Sequence, residues 1–255
     1  MVAQELKSAG FKVYAAARRV DRMADLEKDG ITPVALDLTR DGSIAACVNT
    51  ILSKEKSIDV LVNNAGYGSY GAIEDVPLEE GRRQFGVNLF GTARLIRLVT
   101  PAMREQHYEK IVNISSMGGK IWTKFGGWYH ATKYAVEGLS DCLRMELQPF
   151  GIDVVVVEPG GIKTDRGLIA AENLKKTSTN GAYAEMANKA ADGMIKNYSG
   201  DLLSKPALIA KTVRKAVTKR RPRTRYLVGF GAKPMVWTHR LFGDRVFDWV
   251  LRTFS

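Results

Sequence analysis

The feature that most constrains this chain is an alternation of short apolar runs with stretches of helical periodicity. Residues 12–17, 32–36, 58–62, 110–114 and 152–157 are short, rich in Val, Ile and Ala, and largely apolar. Runs of this kind suit strands buried on both faces. Between them, 2–9, 21–28, 43–54, 78–105 and 129–148 repeat apolar residues at helical spacing. Strand and helix in turn predict an α/β chain, a parallel sheet covered on both sides by helices. Gly10 is placed to close the first helix as a C-cap.

The alternation lapses over 165–205, which is rich in Ala, Asn, Lys, Thr and Gly. It reads as an irregular insertion serving as a substrate lid. A helix over Ala207–Thr218 and a short strand at 226–228 follow. Residues 230–255 then set Trp237, Leu241, Phe242, Val246, Phe247, Trp249, Val250, Leu251 and Phe254 among Arg, His and Asp. This amphipathic C-terminal tail packs on the domain or on a partner subunit; the alternative is a membrane surface. At 255 residues, the whole of 1–255 reads as one domain.

Composition excludes several classes. Hydrophobic residues make up 45% and charged residues 25%, ordinary for a globular protein. Cys47 and Cys142 make no disulfide framework and read as thiols of a reducing compartment. His107, His130 and His239 are too scattered for a metal site. No apolar run reaches the ~18 residues of a membrane span, and Glu5 and Lys7 interrupt any leader core. The expected location is therefore cytoplasmic, with peripheral membrane contact through the tail left open. Net charge is +11. Part of it crowds into Lys219, Arg220, Arg221, Arg223 and Arg225, either a solvated surface or an attraction for an anionic partner. No nucleic-acid motif accompanies the charge.

The chemistry gathers beyond the strand ends. Tyr129 and Lys133 lie four residues apart and share one helix face. A nearby ammonium stabilises phenolate, so this pairing is expected to lower the tyrosine's ordinary value of ~10. Alone, the pair is equally an amphipathic helix face. Its neighbours raise its weight. Ser115 and Ser116 follow the run 110–114 and precede Gly118 and Gly119. Asn63-Asn64-Ala65-Gly66 closes the run 58–62, and Pro159-Gly160-Gly161 closes 152–157. Ligands of open parallel sheets bind beyond the carboxyl ends of the strands.

With these motifs in order, the chain resembles the short-chain dehydrogenase/reductase family from its first residue to about Gly229. The matching residues are Asp37-Leu38-Thr39, Asn63-Asn64-Ala65-Gly66, Val87-Asn88-Leu89, Ser116, Tyr129-His130-Ala131-Thr132-Lys133 and Pro159-Gly160-Gly161-Ile162-Lys163-Thr164. The resemblance implies a Rossmann-like doubly wound sheet and an NADP(H)-dependent oxidoreductase. It implies Tyr129 as general acid or base, and Ser116 rather than Ser115 as holder of the reacting oxygen. Lys133 would lower the tyrosine's pKa and bind the nicotinamide ribose, and Asn88 would position a relay water. Asn63, Ala65 and Gly66 would line the cofactor ribose, with Asp37 and Leu38 at the adenine. Pro159, Gly160, Ile162 and Thr164 would flank the carboxamide. Where an acidic residue would select NAD, this chain has Ala17 followed by Arg18 and Arg19. A guanidinium there suits a 2′-phosphate, hence NADP.

The chain departs from the family at its start. The family's first strand and glycine-rich turn are missing, and Met1 falls within the first helix. The neighbours of that strand, 12–17 and 58–62, are then expected about 10 Å apart and unpaired. Unpaired buried amides cost roughly 1–3 kcal/mol each against a total stability of ~5–15 kcal/mol. The expectation is an unstable chain or weak NADP binding, explained by an incomplete gene model or internal start, or by an inactive truncation product.

Substrate class is less legible. Ile121, Trp122, Phe125 and Trp128 suggest a large apolar pocket, or simply core. The segment 220–229 and the tail resemble family members acting on steroids, retinoids or acyl ketones. The leading expectation is a lipophilic carbonyl or alcohol. A broad reductase of small ketones is the next, and a non-catalytic, membrane-docked interaction module on the same fold is the rival. A homo-oligomer joined through 78–105 and 129–148 accompanies the family resemblance.

Overall fold

The computed structural model describes residues 1–106 and 109–253, so His107 and Phe254 lie outside the described residues. Six parallel strands alternate with helices in a Rossmann-like α/β fold. In chain order these are α1 (Val2–Ser8), β1 (Tyr14–Ala17), α2 (Ala24–Lys28), β2 (Thr32–Ala35), α3 (Asp41–Glu55) and β3 (Val60–Asn63). Next come α4 (Leu78–Phe85), α5 (Gly91–Gln106), β4 (Lys110–Ile114), α6 (Gly127–Leu147) and β5 (Asp153–Pro159). Last are α7 (Asp165–Ser178), α8 (Ala184–Ser199), α9 (Ala207–Thr218), β6 (Arg225–Val228) and α10 (Ala232–Thr253).

The strands form two ladders, β1 with β2, and β3-β4-β5-β6. Among the described residues no ladder joins β1 to β3. Within the larger sheet, Val112 stands between Val62 and Val155, which sets the strand ends level. Period-two alternation divides its side chains between two cores. Ile111 and Val154 join Ile44, Val99, Met103 and Leu147 under α3, α5 and α6. Val112, Val155 and Val157 join Leu6, Ile209 and Val213 under α1 and α9. Burial on both faces is what made these runs largely apolar. Gly10 follows the end of α1 with φ +92, and Phe11 N–H reaches back to the Leu6 carbonyl at 3.2 Å, as a C-cap requires.

Three stretches differ from the sequence expectation. The insertion at 165–205 is largely helical: α7 and α8 pack through Ala171, Leu174, Ala187 and Ala191. Small side chains let two helices approach closely without the bulky periodicity that marks a helix in sequence. The run 78–105 breaks at Gly86–Phe90 into a π-helical turn, a widening frequent at functional sites. The tail helix α10 is interrupted at Gly243, where φ is 73. Among the described residues no helix is long and apolar enough to cross a membrane.

Candidate active site

β4 ends at Ile114, and the chain turns at Ser116 into a single 3-10 turn, Met117–Gly119. Ser116 caps this turn, its Oγ accepting the Gly118 N–H at 3.0 Å. The first turn of α6 carries Tyr129 to the same spot, close enough for the Ser116 hydroxyl to act on its phenol. One helical turn on, Lys133 is buried with its Nζ 5.9 Å from the Tyr129 ring centre. That Nζ donates to the Ile114 carbonyl at 2.9 Å. Ser115, by contrast, is buried, and its hydroxyl has no hydrogen-bond partner among the described residues.

The electrostatics correct one expectation. Burial pushes the Tyr129 phenol up, against the Ser116 hydrogen bond and the charge of Arg166, so it stays protonated at neutral pH. Lys133 is the group brought down, to about 8, by burial first and by Arg166 second, with Glu137 opposing. At the phenol, desolvation outweighs the opposing pull of the Ser116 hydroxyl and the Arg166 charge.

Asn88 sits buried in the π-helical turn. Its Oδ1 accepts Tyr67 N–H at 3.0 Å, and its Nδ2 donates to the Tyr67 carbonyl at 2.9 Å and to Thr132 at 3.0 Å. It thereby clamps the loop after β3 onto α6. Gly66 lies in that loop. A Cβ there would stand 3.1 Å from Asn88 Oδ1 and 3.7 Å from Lys133 Nζ, so bare backbone borders the lysine. Asn63 points inward instead, donating to Asn113 at 2.8 Å, while Asn113 donates to Ser140 of α6 at 2.9 Å. Ala65 is exposed at the strand mouth.

At the end of β1, Arg18 and Arg19 are exposed and enter no ion pair among the described residues. Asp37 accepts from Thr39 N–H and Oγ1 at 2.9 and 2.7 Å, and these bonds, with the charges of Arg18 and Arg40, hold its carboxyl low. Leu38 is buried against Gly91. Beyond β5, Pro159 borders Ser116, whose hydroxyl lies 3.4 Å from its carbonyl. Gly160 N–H donates to Val228 at 2.8 Å, and Ile162 bridges Ser204. Thr164 stands at the N-cap of α7 with its hydroxyl not used as a cap.

Several participants escaped sequence reasoning. Arg166, in the first turn of α7, acts on both Tyr129 and Lys133. Tyr70 packs on Tyr129 with ring centres 5.9 Å apart, and Tyr198 lies against Gly167 near the same phenol. His130 staples the loop after β4: it bonds the Gly118 carbonyl at 2.9 Å and Thr123 N–H at 3.0 Å. Its position beside Tyr129 was the available signal. Behind the site, Glu137 and Glu158 are buried together with Arg225, which reaches each at 3.1 Å, and Lys120, 2.9 Å from Glu137.

The aromatic wall divides. Ile121 is core, Trp122 packs on α10, and Trp128 meets Phe85 of α4 edge-on at 6.3 Å. Phe125 alone of the four packs against α7 and α8, together with Tyr70.

A sequence profile described as short chain dehydrogenase matches residues 1–174. A probable short-chain type dehydrogenase/reductase, VdlC, of Helicobacter pylori is 33% identical over 251 residues, 97% of this chain and 90% of that protein. A 3-ketodihydrosphingosine reductase of Bacteroides thetaiotaomicron is 37% identical over 186 residues, 72% of this chain and 67% of that protein. Among solved structures, a short-chain dehydrogenase from Streptomyces avermitilis matches with a TM-score of 0.81 and 33% identity, covering 94% of this chain and 87% of that one. An actinorhodin polyketide ketoreductase solved with NADPH matches at 0.73 and 26%, with 88% of each chain covered.

Proposed function

The chain belongs to the short-chain dehydrogenase family and is an oxidoreductase of that fold, and from that premise we propose that it interconverts a carbonyl and an alcohol using NADP(H). The observation that carries the reading is the convergence of Ser116 and Tyr129 beyond β4, with Lys133 buried one helical turn below and its Nζ 5.9 Å from the Tyr129 ring centre.

The residues present fit a phosphorylated dinucleotide. Arg18 and Arg19 offer unpaired guanidinium groups to a 2′-phosphate. Asp37 and Leu38 would border the adenine, and Ala65 and the bare Gly66 backbone would line the ribose beside Lys133, with Asn63 bracing the end of β3 from within through Asn113. Pro159, Gly160, Ile162 and the uncommitted Thr164 hydroxyl flank the carboxamide. When bound, the nicotinamide supplies or takes up the hydride. In reduction, Ser116 donates a hydrogen bond to the carbonyl oxygen as it gains charge. Tyr129, kept protonated by burial, delivers the proton to that oxygen. Lys133 holds positive charge beneath the resulting phenolate, and Asn88 keeps the Tyr67 loop against α6.

Tyr70 and Phe125, packed with α7 and α8, give the pocket an apolar side, which favours a lipophilic substrate and gives the two helices the role of a lid. The ketone-reducing relative with a sphingoid substrate in its name points the same way. A second reading, a non-catalytic interaction module, draws on the absence of a ladder between β1 and β3 among the described residues. Tyr129→Phe separates the two. On the enzyme reading it abolishes NADPH oxidation across a carbonyl panel and leaves the melting temperature within a few degrees. Turnover that survives the substitution contradicts the assignment.

A further inference from the structure

The last helix carries an apolar surface that the fold leaves uncovered. α10 bends at Gly243, and its inward side chains gather around Trp122. That indole meets His239 edge-on at 4.7 Å and Phe247 at 5.4 Å, and its N–H donates to Asp248 at 3.0 Å. Phe247 is wholly buried. The residues on the other side of both halves are not. Trp237, Leu241, Phe242, Val246 and Trp249 are 41–67% exposed. Single exposed apolar residues are ordinary, but five large ones around one bend form a patch that asks for a partner.

The charges around the patch say which partner. Lys233, Arg240, Arg245 and Arg252 are exposed on the same helix. None of them enters an ion pair among the described residues. Asp248 turns inward to Trp122 at 3.0 Å, while Asp244, 77% exposed, meets His239 at 2.9 Å, so four exposed cations stand against one exposed carboxylate. The surface is therefore aromatic and aliphatic at its centre and positive at its rim. A second copy in a two-fold contact would bring the same cations face to face. Anionic headgroups would neutralise them, while Trp and Phe suit the boundary between headgroup and acyl chain.

We propose that α10 docks this protein on an anionic phospholipid surface, with Leu241 and Phe242 at the Gly243 bend entering the acyl boundary. Trp122 links that helix to the loop after β4, so the docked face lies behind one wall of the active site. The contact needs neither cofactor nor turnover, and it stands or falls apart from the oxidoreductase reading.

The test is co-sedimentation of the full chain with vesicles of phosphatidylcholine alone and of equal phosphatidylcholine and phosphatidylglycerol. The expected result is binding to the mixed vesicles and at least about tenfold weaker binding to the neutral ones. Phe242→Glu, and separately Arg240→Glu with Arg245→Glu, should each weaken binding about tenfold or more. Both are exposed changes, so circular dichroism and melting should be unaltered. Failure to bind mixed vesicles, or binding indifferent to both variants, overturns the proposal. If light scattering instead finds a dimer that Phe242→Glu splits, the surface is an interface between copies and the lipid assignment is wrong.

Discussion

Replacing Glu158 by Gln should change how stability depends on pH, because this carboxyl is buried beside a second one. Its side chain is 4% exposed, with Glu137 at 5%. Burial, and then the charge of Glu137, push it from the ordinary 4.5 up to about 7, against the pull of Lys120 and Arg225. Below 4.5 the folded and unfolded chains both hold this proton. Between 4.5 and 7 only the folded chain holds it, so the stability it contributes declines as pH rises and is gone above about 7. The span corresponds to about 3 kcal/mol. Glutamine stays neutral throughout, so that decline should vanish. Urea unfolding of both proteins at pH 5 and pH 8 reads it directly. The variant should gain roughly 2–3 kcal/mol on the wild type between the two conditions, because the unfolded carboxyl has already lost most of its proton by pH 5. A stability difference that stays constant between the two pH values would refute the raised carboxyl of Glu158.

Three further outcomes are expected. Arg18→Glu should weaken NADPH binding at least about tenfold relative to NADH in fluorescence titration, because the guanidinium proposed to meet the 2′-phosphate would be replaced by a repelling carboxylate. Carbonyl reduction should decline as pH rises past about 8, where Lys133 loses its charge, and a rate profile flat to pH 10 would exclude that role. A variant in which a further strand is supplied between β1 and β3 should melt higher and bind NADPH more tightly, since among the described residues β1 and β3 each have a ladder on one side only; unchanged melting and binding would count against that account.

What the sequence disclosed depended on how many neighbours each feature needed. β4 and β5 were legible because a strand buried on both faces is apolar along most of its length, with Asn113 bonded to Ser140 and Glu158 paired with Arg225. Ser116, Tyr129 and Lys133 were legible because a loop beyond a parallel strand and one helix face bring them together with little help from elsewhere. The α7–α8 pair was not, because its contacts use Ala171, Ala187 and Ala191, which carry no bulky period. The Glu137, Glu158 and Arg225 cluster was hidden by distance along the chain, since Arg225 lies 88 residues from Glu137. The direction of the Tyr129 shift was misjudged for a related reason. Spacing shows that Lys133 is near, but the desolvation that prevails comes from packing that includes Tyr70, which no local pattern announces. Trp122 and Trp128 turn to α10 and α4 because those helices supply the surfaces they fill, and their facing is set only in three dimensions.

The most direct measurement of the central claim is transfer of deuterium from NADPH labelled at the nicotinamide C4 into a carbonyl substrate, read by mass spectrometry of the alcohol. The account predicts one deuterium on the former carbonyl carbon with the wild-type chain and none with Tyr129→Phe. Equal incorporation by both proteins, or reduction without label at that carbon, would contradict it.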